Sequence, residues 1–169
     1  MITHSSEIYQ FIQVFLQHRI FGETETKCLF NFCLLTGARV GDVLLTIKDY
    51  NIKTISETEF NISYIQQKTK IYRDSNIQKP QNLKIEVIRS WLNISKLLSY
   101  STHQKNFKSG IYPHRVMSKG KDITTHLPRH YFIKKGFEEG KTYSEMKILT
   151  GISSTSTLNE YRYSTLIIT

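Results

Sequence analysis

A mainly α fold with a small antiparallel β-sheet, class α+β, is what the sequence predicts. Apolar residues recur at helical spacing through the first third of the chain and again through its C-terminal half. Between these stretches lies one patch where the period drops to two, centred on Phe60, Ile62 and Tyr64. No internal repeat, low-complexity tract or linker-like segment divides the 169 residues, so one domain spanning 1–169 is expected.

The elements follow in order. Ile8, Phe11, Ile12, Phe15 and Leu16 line one face of a first helix, with Ser5 or Ser6 as its N-cap. Phe21-Gly22-Glu23 breaks the pattern. A second helix is predicted from Thr24 to Thr36, stopped by Gly37. A short helix follows, with Val40, Val43, Leu44 and Ile47 facing inward. Arg39 sits at the corner between these two helices, where a charged residue points away from a core by default. The alternating patch then forms a hairpin or small meander: a strand through Tyr64, a polar tip at Gln66–Lys70 and a return strand over Ile71–Ile77. Ile85, Ile88, Trp91, Leu92 and Leu98 predict a helix over Leu83–Ser99. Tyr100–Asp122 has no readable period and carries Lys105, Lys108, Arg115, Lys119 and Lys121. Pro128 suits the first position of a helix that runs to about Gly140, because its missing N–H would have had no partner there. Two short helices follow, Tyr143–Leu149 and one holding Leu158 and Tyr161, separated by Thr150-Gly151. The apolar tail at Leu166–Ile168 is too short to stand alone, and docking on a neighbouring protomer is one use for it.

Composition narrows the partner. Lys and Arg total 23 against 14 Asp and Glu, a net charge of +9, which favours a polyanion. Cys28 and Cys33 match neither a zinc spacing nor a redox pair and read as buried thiols in a reducing compartment. No apolar run reaches bilayer length and no signal-peptide pattern opens the chain, so an intracellular, soluble protein is expected.

Four phosphate-directed groups stand in chain order: Arg39 at the helix corner, Lys68 on the hairpin, His126 with Arg129 at a helix start, and a C-terminal tyrosine. Thr36-Gly37-Ala38-Arg39-Val40-Gly41-Asp42-Val43-Leu44 resembles the T-G-x-R-x-x-E-x-L box of the tyrosine recombinases, the phage-integrase and Xer-type family, with Asp for Glu. Gln67-Lys68-Thr69 is similar to that family's hairpin lysine. His126-Leu127-Pro128-Arg129-His130 resembles its H-x-L-R-H box. Leu149-Thr150-Gly151-Ile152-Ser153-Ser154, with Tyr161 nine residues after Ile152, is similar to its L-G-H-S-S…Y ending. Arg129 precedes Ile152 by 23 residues, also as in the family. The likeness runs from about Thr3 to Tyr161, which implies the catalytic domain alone, without the helical core-binding domain.

The resemblance implies DNA strand cleavage and rejoining, in site-specific recombination or integration for a mobile element, through a covalent 3′-phosphotyrosine, with no metal, cofactor or small-molecule substrate. Arg39 and Arg129 would hold the phosphate oxygens, with Lys70 and His130 as further phosphate contacts. Lys68 would be the general acid, His126 would assist proton transfer or hydrogen-bond the phosphate, and Tyr161 would be the nucleophile. Lys70, two residues from Lys68, projects to the same face of a strand, so either could reach the phosphate, and Tyr163 competes with Tyr161. The partner would be double-stranded DNA, on which four copies assemble. Two departures stand out: Ile152 replaces a His or Trp hydrogen-bond donor, and Pro128 replaces Leu before Arg129. Ile152, together with the missing core-binding domain, leaves open an alternative, a DNA-binding module of the same fold whose catalysis has decayed. A type IB topoisomerase-like relaxase would share the chemistry without needing a partner site, and RNA-binding motifs are absent.

Overall fold

The computed structural model describes residues 2–17, 24–45 and 50–169, with the side chains of Phe15 and Gln17 excepted. The predicted Phe21-Gly22-Glu23 break, the Phe15 side chain and Ile47 lie outside what is described.

Helices α1 (Ser5–Gln17), α2 (Thr24–Thr36) and α3 (Val40–Leu45) open the chain. Strands β1 (Asn51–Ser56), β2 (Glu59–Ile65) and β3 (Tyr72–Gln78) then form an antiparallel meander in the order β1-β2-β3. Its inward face carries Phe60, Ile62 and Tyr64 of β2, paired with Ile77, Ser75 and Arg73 of β3. After the sheet come α4 (Ile85–Ser95) and α5 (Tyr100–Ile111), then the short strands β4 (Val116–Ser118) and β5 (Lys121–Asp122). A 3₁₀ turn at Thr124–His126 leads into α6 (Leu127–Glu138), which is followed by α7 (Tyr143–Thr150), α8 (Thr155–Arg162) and β6 (Leu166–Ile168). This is the α+β architecture the periods predict.

Four expectations are corrected. Ser5 is the first residue of α1 rather than its cap, and both its backbone N–H and its hydroxyl donate to the Glu138 carboxylate on α6. Tyr100–Ile111 is helical: Ser99 caps it, and His103, Phe107 and Ile111 put a buried residue on each turn, a stripe hidden in the sequence by its polar neighbours. The predicted Leu83–Ser99 helix is confined to Ile85–Ser95. The tail is an element after all, because β6 pairs with β4 of the same chain, giving a second sheet in the order β5-β4-β6.

Two apolar clusters result. The larger gathers α1, α2, α3, the meander, α4 and α5; the smaller is Ile133, Phe137, Met146, Ile152 and Leu158, with Tyr161 packed against it. Helix α6 separates them. Its Leu127 belongs to the first cluster and its Ile133 and Phe137 to the second, so its N-terminal turn opens on the seam between the two.

Candidate DNA-phosphate site

Arg129 stands in the first turn of α6 and is 2% exposed. Its Nη1 donates to the Gly37 carbonyl at 2.8 Å, at the C-terminal end of α2. That carbonyl is presented because Gly37 turns out of the helix at φ +70, where a Cβ would collide with the Phe132 ring. The other Arg129 donors, Nε and Nη2, are shut from solvent and have no partner among the described residues. Arg39, two residues past Gly37, is half-buried, and its Nε and Nη1 are likewise without partners. The default outward reading of this corner therefore does not hold. Desolvation lowers the pKa of Arg129 most, and the Arg39 charge lowers it further, while Tyr161 opposes both. Four unpaired guanidinium nitrogens in one neighbourhood are costly for a protein at rest and well matched to an oxyanion that accepts two hydrogen bonds from each arginine.

Tyr161, in the last turn of α8, lies with its ring centroid 5.9 Å from the Arg129 guanidinium carbon. His130 meets the same ring edge-on at 4.7 Å. Tyr163 is instead 51% exposed and stacks beside Arg162, so of the two competing tyrosines it is Tyr161 that neighbours Arg129. His130 is buried with Nδ1 3.3 Å from the Ser164 hydroxyl, which places it behind Tyr161. Burial, then the charges of Lys134, His126 and Arg129, push its pKa down to about 3. His126 ends the 3₁₀ turn before α6 and keeps part of its surface open. Desolvation, followed by the charges of Arg129, Arg39 and Lys68, lowers its pKa too, which favours the neutral imidazole. The same relation puts Lys68 within electrostatic reach of His126.

The hairpin needs a correction. Residues 66–71 form a turn rather than extended strand, with Lys70 at φ +58, so the strand rule that put Lys68 and Lys70 on one face does not apply. Both lysines are exposed. The root of the turn is fixed from two sides. Asp42 Oδ1 accepts the Gln67 N–H at 2.8 Å, and Gln66, 2% exposed, donates from Nε2 to the Thr150 carbonyl at 3.3 Å. Ile152 is buried among Met146, Phe137 and Leu158, forming a wall behind Tyr161 rather than a donor to the site.

Sequence reasoning missed Arg73. It is 1% exposed, with Nη1 donating to the Tyr64 hydroxyl at 2.9 Å and Nη2 to the carbonyls of Thr36, at 2.5 Å, and Leu149. These carbonyls end α2 and α7, so the negative ends of two helix dipoles compensate the charge where no carboxylate bonds to it among the described residues. The period-two rule could have found it: with Ile77 facing inward, Ser75 and Arg73 must do so as well.

No group of metal-ligating side chains occurs among the described residues, and no described helix is long and apolar enough to cross a membrane. A groove of about 1070 Å³ lies between the meander and helices α2, α6 and α7, and neither Arg39 nor Arg129 lines it.

The fold is that of the tyrosine recombinase catalytic domains. Among solved structures, the chain is similar to XerH site-specific recombinase bound to difH substrate, in a pre-cleavage and a palindromic post-cleavage complex. Each has a TM-score of 0.60 and 15% identity, over 95% of this chain and 49% of that one. It is also similar to the catalytic domain of bacteriophage HP1 integrase, with a TM-score of 0.52 and 16% identity, over 95% of this chain and 85% of that domain. The chain thus spans about half the length of the XerH recombinase. Neither a family sequence model nor a curated protein sequence matches it.

Proposed function

We propose that this chain cleaves and rejoins DNA strands in site-specific recombination or integration, with Tyr161 as nucleophile. The observation that carries the reading is the set of unpaired buried nitrogens on Arg39 and on Arg129, whose charges act on one another and the second of which lies beside the Tyr161 ring. In the reaction, the Tyr161 oxygen attacks the scissile phosphorus and the bond to the 5′ oxygen breaks. A 3′-phosphotyrosine forms, keeping the phosphodiester energy for rejoining. Arg39 and Arg129 neutralise the non-bridging oxygens, whose charge peaks in the transition state, and guanidinium forks suit them better than ammonium. His126 accepts the phenol proton, and Lys68 at the exposed tip of the hairpin protonates the departing 5′ oxygen. Attack by the 5′ hydroxyl of a second strand reverses each step. The basic charge of the chain supplies non-specific affinity for the duplex, and exchange between two duplexes calls for four copies on DNA.

The test is a pool of nicked duplexes of randomised sequence, from which escape of the short fragment bearing the freed 5′ hydroxyl traps any covalent adduct. Adduct with the wild-type chain and none with Tyr161→Phe supports the reading. Duplex binding without adduct, at any sequence recovered from the pool, contradicts it. That outcome would favour the second reading, a DNA-binding module with decayed chemistry, which Ile152 motivates because it supplies packing where a hydrogen-bond donor would serve the transition state.

A further inference from the structure

Lys134 is on α6, one helical turn beyond His130, and is 2% exposed. A lysine so deeply buried ordinarily has a carboxylate partner. Its ammonium instead donates to two backbone carbonyls, those of Ser164 at 2.8 Å and Arg162 at 3.3 Å. Both lie just past Tyr161, where α8 ends and its last carbonyls have no helical partner. The Ser164 carbonyl also accepts the Thr3 N–H at 3.3 Å, while the Ser164 hydroxyl donates to the Tyr161 carbonyl at 2.9 Å. A single cation thus ties the segment after Tyr161 to the helix that carries Arg129. The negative end of the α8 dipole favours the charge at that place. From the other side, Arg162 lies against the Phe137 ring at 4.5 Å and donates to the Tyr143 hydroxyl at 3.0 Å.

We infer that Lys134 is a positioning residue for Tyr161, holding the C-terminal end of α8 at a fixed height against α6 so that the phenol stays beside Arg129. Nothing in the resemblance of the motifs assigns it a part. The inference rests on Tyr161 being the nucleophile, and its geometry accounts for a buried lysine that a hydrophobic residue would otherwise replace at no cost. Desolvation pushes the Lys134 pKa down to about 8, against the pull of Glu138 and Glu7, so the ammonium form predominates at neutral pH.

The test compares Lys134→Met and Lys134→Gln, the second keeping a donor, with the wild-type full chain. Amide hydrogen exchange over residues 162–166, without DNA, reports the tether. Duplex affinity and the single-turnover rate of adduct formation on the nicked substrate report the chemistry separately. Expected are faster exchange confined to 162–166, unchanged duplex affinity, and a cleavage rate lowered about 10- to 100-fold in Lys134→Met and less in Lys134→Gln. A purely structural role would instead lower stability with the cleavage rate of the folded fraction unchanged. Wild-type exchange over 162–166 in both variants, or wild-type cleavage by folded Lys134→Met, overturns the inference. If the wild-type chain forms no adduct, the proposed function fails on its own account and exchange alone decides whether Lys134 is the tether.

Discussion

Replacing Gly151 by alanine probes the joint between the hairpin and the Tyr161 segment. Gly151 ends α7 in the left-handed region at φ +72, which costs a residue with a Cβ about 1 kcal/mol. The added methyl would overlap the Gln66 amide nitrogen, with the Gln66 Cδ at 3.1 Å and the Arg73 Cβ at 3.3 Å. Arg73 is pinned by its own bonds, so Gln66 must move. In moving it gives up its bond to the Thr150 carbonyl and the one it accepts from the Thr69 hydroxyl at 3.0 Å. Two neutral hydrogen bonds in a buried place are worth about 1 kcal/mol each, more if the Thr150 carbonyl stays unpaired. The sum is about 3–4 kcal/mol. Gly140→Ala is the control: at φ +89 with nothing within 4 Å of its Cβ, it carries the backbone cost alone. Denaturant unfolding of both variants reads the difference, expected at about 2 kcal/mol or more. Gln66→Ala, costly by itself, should add little on top of Gly151→Ala, because the bonds it removes are already broken. Equal losses in the two glycine variants, with the cost of Gln66→Ala undiminished in the double variant, would refute the packing argument that seats Lys68.

Arg129→Met should abolish adduct formation while leaving the free protein as stable as wild type or about 1 kcal/mol more so, since two unpaired buried donors go with the guanidinium; thermal unfolding and the trapping assay together check it. His130 has a folded pKa lowered from 6.5 to about 3, so its contribution to stability is complete above pH 6.5 and is lost as pH falls from there towards 3. The loss amounts to about 1.4 kcal/mol per pH unit while only the unfolded state is protonated, and His130→Asn should flatten the slope of unfolding free energy between pH 6 and pH 4, reading about two units of that loss. Asp42→Ala removes the acceptor for the Gln67 N–H and should slow cleavage about tenfold with duplex affinity kept, whereas Asp42→Asn, which retains an oxygen there, should act close to wild type.

Periodicity carried most of the fold. The Thr24–Thr36 helix and the inward face of β2 follow from spacing alone, because their apolar residues meet one uninterrupted core. Helix α5 did not, since its stripe of His103, Phe107 and Ile111 contains a polar member and is flanked by lysines. The arginines, His126 and Tyr161 were legible as motifs in order, but not their surroundings. Arg73 and Lys134 escaped notice because each bonds to backbone carbonyls, which leave no trace in residue identity. The hairpin's polar tip was legible, but the strand rule misplaced Lys68 and Lys70 on one face, because Asp42 and Gln66, contacts distant in sequence, set the geometry of the turn.

The most direct test of the account is the identity of the residue joined to DNA. Proteolysis of the trapped adduct and mass spectrometry of the nucleotide-bearing peptide should place the phosphate on Tyr161. Attachment at Tyr163, or at any other residue, would contradict the assignment of the phenol beside Arg129 as the nucleophile.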